Sequence, residues 1–141
     1  MATATEHDLI EEKILEVQQR DRRFARNAYF FVLDGLDHTM ARLGRDAHTG
    51  EDRHVGAREL LEGLRDHAAE LFGPLATLVF ARWGVHGSED FGEIVFNLID
   101  AGLLSRRDSD SRLDFSDGVD FDRAFADKHR EQLARIREHR S

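Results

Sequence analysis

Apolar side chains recur at every third or fourth position along most of the chain, and this periodicity constrains the fold more than any other feature. A stripe with that spacing is typical of a helix that buries one face against a core. We predict helices over the stretches 7–20, 25–44, 57–73, 74–84, 88–102 and 120–139. The run 74–84 is apolar nearly all round, which predicts a short helix buried on every side.

Local signals indicate where these helices begin and end. Ser88 is expected to cap the N-terminus of the fifth helix, and Gly84 and Gly102 are expected to end the fourth and fifth helices. The dipeptide Gly73-Pro74 closes the third helix and opens the fourth, because glycine is common just after a helix and proline in its first turn.

After the fifth helix, two short apolar runs flank a polar, turn-prone centre, which predicts a β-hairpin over residues 103–115. Three helices followed at once by a hairpin is the element order of a winged helix, a variant of the helix-turn-helix. We therefore expect a mainly α fold: a compact helical domain of about six helices, with a winged-helix-like C-terminal half that carries one short β-hairpin. An irregular helical bundle with a small surface hairpin is the alternative.

The 141 residues are enough for one domain with one core and too few for two. Within the single domain 1–141 we expect an N-terminal helical pair at 6–43, the winged-helix-like region at 56–118 and the C-terminal helix at 120–139. The chain has no cysteine, which excludes disulfides and thiolate metal sites. It shows neither a signal-peptide pattern nor an apolar run near membrane-spanning length, so we expect a cytoplasmic protein that is not inserted in a membrane.

Charge is distributed unevenly over this acidic chain, whose net charge is −8. Residues 86–122 contain three arginines and ten acids, whereas residues 123–141 contain six cations and three acids. An acidic surface repels nucleic acid and attracts basic proteins. We therefore expect a protein partner, either a basic one or a second copy of the chain in a homodimer that pairs acidic segment with basic helix.

In a winged helix, the fifth helix would occupy the position of the recognition helix that DNA-binding members insert into the major groove. Its carboxylates oppose docking on phosphates, so nucleic acid is disfavoured as a partner. Three arginines on the predicted wing, with the basic C-terminal helix, keep a nucleic-acid-binding or ribosome-associated factor as the alternative function. The predicted interaction surface consists of both groups: Glu89, Asp90, Glu93, Asp100, Arg106, Arg107 and Arg112.

The chain contains no recognisable catalytic or metal-binding motif. Its eight histidines include no pair four residues apart on one helix, and the aspartates between 108 and 122 lack the spacing of a calcium loop. For His54 and Glu59, a hydrogen bond that fixes the loop to the start of the third helix is favoured over catalysis. We therefore predict a non-enzymatic protein–protein interaction or regulatory module, without cofactor or metal, that presents an acidic helix and wing surface.

Three strings of the sequence carry a resemblance: HVGARELLEGLRDHAAELFGPLATLVFARWGV, SEDFGEIVFNLIDAGLL and DFSDGVDFDRAF. They resemble a conserved family of hypothetical proteins described from planctomycete and verrucomicrobial bacteria, over about residues 20–125. Members of that family have a similar ELLEG helix, FG-P junction, WG stop and DFG-IVFNL helix at the same spacing. The family is uncharacterised, so the resemblance implies no activity, cofactor or functional residue for this chain.

Overall fold

The computed structural model describes residues 6–44 and 55–105, together with residues 115, 123, 130, 131 and 133–136. The fold is mainly helical, as the periodicity predicts. Its helices are α1 (Glu6–Arg20), α2 (Arg26–Arg42), α3 (Ala57–Phe72), α4 (Ala76–Arg82) and α5 (Ser88–Asp100), with a 3-10 turn (Gly73–Leu75) between α3 and α4. Residues 130, 131 and 133–136 are helical too, in agreement with the predicted C-terminal helix. None of the described helices combines the length and apolar character needed to cross a membrane.

The helix ends follow the sequence signals closely, with one correction. Gly84 and Gly102 have φ angles of 89° and 78°, the left-handed conformation that ends a helix at little cost for glycine. Ser88 is not the cap of α5, because Gly87 occupies that position and Ser88 is the first helical residue. The Ser88 hydroxyl instead donates a hydrogen bond of 2.7 Å to the backbone carbonyl of Phe115.

The core lies where α2 contacts α1, α3 and α5. Phe31 of α2 is at its centre, since its ring centroid lies between 5.3 and 6.1 Å from those of four other aromatic rings. Those rings belong to Phe72 at the end of α3, Phe80 of α4, Trp83 just after α4 and Phe91 of α5. One aromatic cluster therefore joins four helices, and burial of such large side chains is a main source of stability.

Two glycines let α2 and α3 approach each other closely. A Cβ atom at Gly63 would lie 1.7 Å from Oγ1 of Thr39, and one at Gly35 would lie 2.3 Å from Cδ2 of Leu64. Thr39 is fully buried, and its hydroxyl donates a hydrogen bond of 2.6 Å to the carbonyl of Gly35. The short distance between the two helix backbones brings side chains on the flanks of this interface into contact.

The prediction that the fourth helix is buried on every side is wrong. Of the seven residues of α4, the buried ones are Ala76 and Phe80. Leu75, just before the helix, and Leu78 within it are 59% and 61% exposed. An apolar sequence without periodicity does not indicate which side of a helix will be covered, so the sequence could not reveal this open face.

The β-hairpin predicted for 103–115 lies largely outside the described residues, among which no strand occurs. Phe115, expected on the second strand, has a 3-10 conformation instead. It is buried, with its ring centroid 6.5 Å from that of Phe96, and a Cβ atom at Gly92 would lie 2.8 Å from its Cγ. Phe115 therefore covers α5, and the winged-helix-like arrangement stays a prediction.

Candidate functional site

The three most exposed large apolar side chains in the described part of the chain belong to one short segment. Leu71 is 56% exposed, Leu75 59% and Leu78 61%. They lie where α3 ends, the 3-10 turn follows and α4 begins, and together they are termed the leucine corner. Large apolar side chains that stay exposed close together in one segment make it a candidate contact surface.

A backbone turn creates this corner. Gly73 ends α3 with a φ of 55°, and Pro74 starts the 3-10 turn that leads into α4. The change of direction lets Ala76 and Phe80 of α4 enter the core. Leu75, the last residue of the 3-10 turn, stays outside the core.

The carboxylates of the predicted interaction surface are of two kinds. Glu89 and Asp100 are exposed, near the two ends of α5. Asp90 is half-buried, and its carboxylate accepts a hydrogen bond of 2.8 Å from a backbone N–H just before the helix. Glu93 is half-buried and lies 3.5 Å from the guanidinium of Arg23. The acidic surface available to a partner on α5 is therefore narrower than the sequence suggests.

A polar cluster connects α5 to the turn between α1 and α2 and to α2 itself. Asn97 donates hydrogen bonds of 3.0 Å to the carboxylate of Asp21 and 3.1 Å to the hydroxyl of Tyr29. Arg23 binds the same carboxylate through two N–H groups, at 2.9 and 2.7 Å. The turn between α1 and α2 thus lies against the helix that a nucleic-acid-binding winged helix would insert into a groove.

This polar cluster holds Asp21 in its charged form. Hydrogen bonds from Arg23 lower the pKa of Asp21 well below its usual range, and Asn97 adds to the effect, while partial burial opposes it. Burial raises the pKa of Tyr29, so its hydroxyl stays protonated and accepts from Asn97. These interactions stabilise the contact between the turn and α5.

Four residues singled out from the sequence lie outside the described part of the chain: His54, Arg106, Arg107 and Arg112. Glu59 is described, and its carboxylate accepts a hydrogen bond of 3.1 Å from the backbone N–H of Gly56. That bond satisfies one of the N–H groups left without a helical partner at the start of α3. The part expected of His54 in fixing the loop to the start of α3 stays a prediction.

The C-terminal helix presents two further exposed apolar side chains. Leu133 is 41% exposed and Ile136 is 50% exposed. Residues three apart on a helix are neighbours on its surface, so these two side chains form one small apolar strip. Arg130 and Arg135 are exposed on the same helix, so the strip is flanked by cations.

A second cluster, which the sequence did not reveal, lies across the interface of α2 and α3. A ring nitrogen of His38, a ring nitrogen of His67 and a carboxylate oxygen of Glu70 all lie within 4.8 Å of one another. The two imidazole centroids are 5.0 Å apart, and the ring of His67 stacks on Phe31 at 5.4 Å. These three residues are termed the histidine cluster. Imidazole nitrogens and carboxylate oxygens are ligands that bind zinc and similar transition metals.

His67 is the inner member of the histidine cluster. Its Nδ1 is buried, and no group in the described part of the chain forms a hydrogen bond with it. Burial lowers the pKa of His67 and the nearby His38 lowers it further, while Asp34 and Glu70 oppose the shift. The ring therefore favours its neutral form, in which one nitrogen carries a lone pair.

The histidine cluster could not be found from spacing along one helix. His67 and Glu70 are three residues apart on α3, but His38 comes from α2. Its place beside His67 depends on the close approach of the two helices at Gly35 and Gly63. No pattern in the sequence specifies how these two helices pack against each other.

No protein-family model, curated protein or solved structure matches this chain. The resemblance to the planctomycete and verrucomicrobial family stays a prediction. The candidate surfaces are therefore interpreted from their own geometry.

Proposed function

We propose that the protein is a non-enzymatic interaction module that pairs with a second copy of itself. In this pairing, the leucine corner of one copy contacts the C-terminal helix of the other. The exposure of the leucine corner carries the proposal, because no other large apolar side chain in the described part of the chain is as exposed. Removing such surface from water contributes about 25 cal/mol per Å² of apolar area to association, and the entropy cost of association offsets part of it.

The C-terminal helix offers the matching surface. Leu133 and Ile136 remain exposed in the single chain, so their own domain does not cover them. Each copy carries both a leucine corner and a C-terminal helix. A dimer with two-fold symmetry would therefore form the contact twice, which doubles the apolar area that one contact buries.

Charge complementarity supports the same pairing. Residues 57–105 contain three arginines and eight acids, whereas residues 123–141 contain six cations and three acids. Glu89 and Asp100, the exposed carboxylates of α5, belong to the acidic side. Opposite charges on two partners accelerate association and set orientation more than they add affinity.

Size-exclusion chromatography with light scattering tests the proposal. We expect the wild type to have twice the chain mass of 16.2 kDa, and the variant Leu75→Glu/Leu78→Glu to be a monomer. Two carboxylates would otherwise be buried in an apolar contact, which is strongly unfavourable. A wild type that is monomeric at every protein and salt concentration would overturn the proposal.

A matched control separates loss of the contact from a general effect of added charge. Leu9 and Leu15 on α1 are 51% and 49% exposed, close to the values at the leucine corner. The variant Leu9→Glu/Leu15→Glu adds the same two carboxylates elsewhere on the surface. We expect this control to stay dimeric.

Nucleic-acid binding through a winged-helix-like half is the second candidate function. The order of α3, α4 and α5 favours it, since a winged helix has three helices before its wing. The polar cluster on α5 opposes it, because Asn97 and Glu93 are already engaged by the turn between α1 and α2. DNA or RNA binding that weakens steeply with salt and is lost when Arg106 and Arg107 are changed to Glu would favour this candidate over self-association.

A further inference from the structure

We propose that His38, His67 and Glu70 form a binding site for a divalent transition metal such as Zn²⁺. The site is distinct from the leucine corner, and the inference goes beyond the proposed self-association. Metal binding tests this inference, whereas the oligomeric state tests the proposed function. Either one can therefore fail without the other.

The positions of the donor atoms fit a metal site after small side-chain movements. The three atoms lie within 4.8 Å of one another. A tetrahedral zinc site with bonds of about 2.0–2.1 Å separates its ligand atoms by about 3.4 Å. Glu70 is exposed and His38 is half-buried, so rotation of these two side chains can close the gap. His67 can keep its place against Phe31.

His67 provides an independent indication of a ligand. Its Nδ1 is buried, and the described residues offer it no hydrogen bond. A buried polar atom without a hydrogen bond destabilises a fold. Native proteins therefore rarely retain one unless a water, an ion or a functional role accounts for it. The ring is nevertheless held in place by stacking on Phe31 at 5.4 Å. Coordination to a metal through Nδ1 would give this buried atom of the fixed, neutral imidazole a partner.

The ligand types select the class of metal. Two imidazole nitrogens and one carboxylate oxygen suit zinc, cobalt, nickel and copper, whereas calcium and magnesium prefer oxygen ligands alone. Three protein ligands leave at least one position for water, as in zinc sites that bind further ligands. Glu70 is exposed, so this open position would face solvent. Asp34, whose charge acts on His67, adds negative potential that favours a cation.

Zn²⁺ titration of the metal-free, untagged full-length chain tests the site by calorimetry and thermal unfolding. We expect one ion per chain, and a rise in Tm of about 5 °C or more at a hundredfold excess over Kd, because only the folded state holds the three ligands together. Co²⁺ should give the intense visible absorption bands of four- or five-coordinate cobalt.

Substitutions within the cluster show whether these residues are the ligands. His38→Ala and Glu70→Ala change side chains near the surface, and each should weaken Zn²⁺ binding by at least about tenfold while the circular dichroism stays unchanged. His67→Phe keeps a ring against Phe31 and removes both nitrogens, so it should abolish binding. His86→Ala, at an exposed histidine outside the cluster, is the control and should bind like the wild type. Absence of binding, or equal binding by the wild type, His38→Ala and Glu70→Ala, would overturn the proposal.

Discussion

Asp21 is the residue on which the contact between the first interhelical turn and α5 depends. Its carboxylate receives two N–H groups of Arg23 and the amide of Asn97, which comes from the opposite half of the chain. Hydrogen bonds to a charged group are among the stronger side-chain contacts in a folded protein. In the sequence, Asn97 is simply one polar residue of the fifth helix and belongs to no motif. Its partners are distant along the chain, so no spacing rule could reveal the contact.

Asp21→Asn should lower the free energy of unfolding by about 1.5–3 kcal/mol near neutral pH, because it removes the charged acceptor. The pKa of Asp21 is lowered in the folded state, so its contribution is present above the pKa of the unfolded carboxyl and is lost as pH falls. The difference between wild type and variant should therefore shrink from about pH 5 to about pH 2.5. Urea denaturation at a series of pH values measures it.

The control for this measurement is Asp37→Asn, which changes an exposed aspartate on α2. Surface substitutions of that kind alter stability by less than about 0.5 kcal/mol. A constant difference between the wild type and Asp21→Asn across the acid range would contradict the assigned role of Asp21.

At the scale of the elements, periodicity and glycine signals predicted most of the helices and their ends. The stripes that favour α1, α2, α3 and α5 are the faces that carry Ile14, Val32, Leu64 and Ile94 into the core. Periodicity could not predict which face of α4 is buried, because a helix that is apolar on nearly all sides has no distinct apolar stripe. Leu78 of α4 belongs to the leucine corner. The prediction of burial was therefore wrong in the same segment for which we propose an interaction surface.

The interface of α2 and α3 supplies a test at the same scale. Gly63→Ala should lower the free energy of unfolding by about 1 kcal/mol or more, although alanine favours a helix over glycine by about 1 kcal/mol. The added Cβ atom would lie 1.7 Å from Oγ1 and 2.8 Å from Cβ of Thr39. Thermal and urea denaturation measure the loss, and Zn²⁺ binding at the histidine cluster should weaken in parallel.

The double variant Thr39→Ala/Gly63→Ala is the matching control for that experiment. It removes Oγ1, the nearest atom, but keeps the Cβ atom of Thr39. We expect it to recover part of the stability that Gly63→Ala loses relative to Thr39→Ala. Wild-type stability in Gly63→Ala would show that the two helices are not packed as closely as described.

At the scale of the whole molecule, the chain combines one acidic helical body with one basic helix. The sequence predicted this division of charge, and it predicted the acidic residues on α5. The sequence did not predict which apolar side chains are exposed on the acidic body and on the basic helix, because exposure depends on how the elements pack. Leu75 and Leu78 on the body and Ile136 on the C-terminal helix are apolar in sequence and exposed in the fold.

In the proposed dimer, the leucine corner of one copy binds the C-terminal helix of the other. Two variants, each with one surface removed, test it most directly: Leu75→Glu/Leu78→Glu and Leu133→Glu/Ile136→Glu. Each should be a monomer alone, but their mixture keeps one intact corner and one intact helix. Light scattering of the equimolar mixture should therefore show a heterodimer of twice 16.2 kDa, weaker than the wild-type dimer. A mixture that remains monomeric while the wild type is dimeric, or variants that dimerise alone, would contradict the claim.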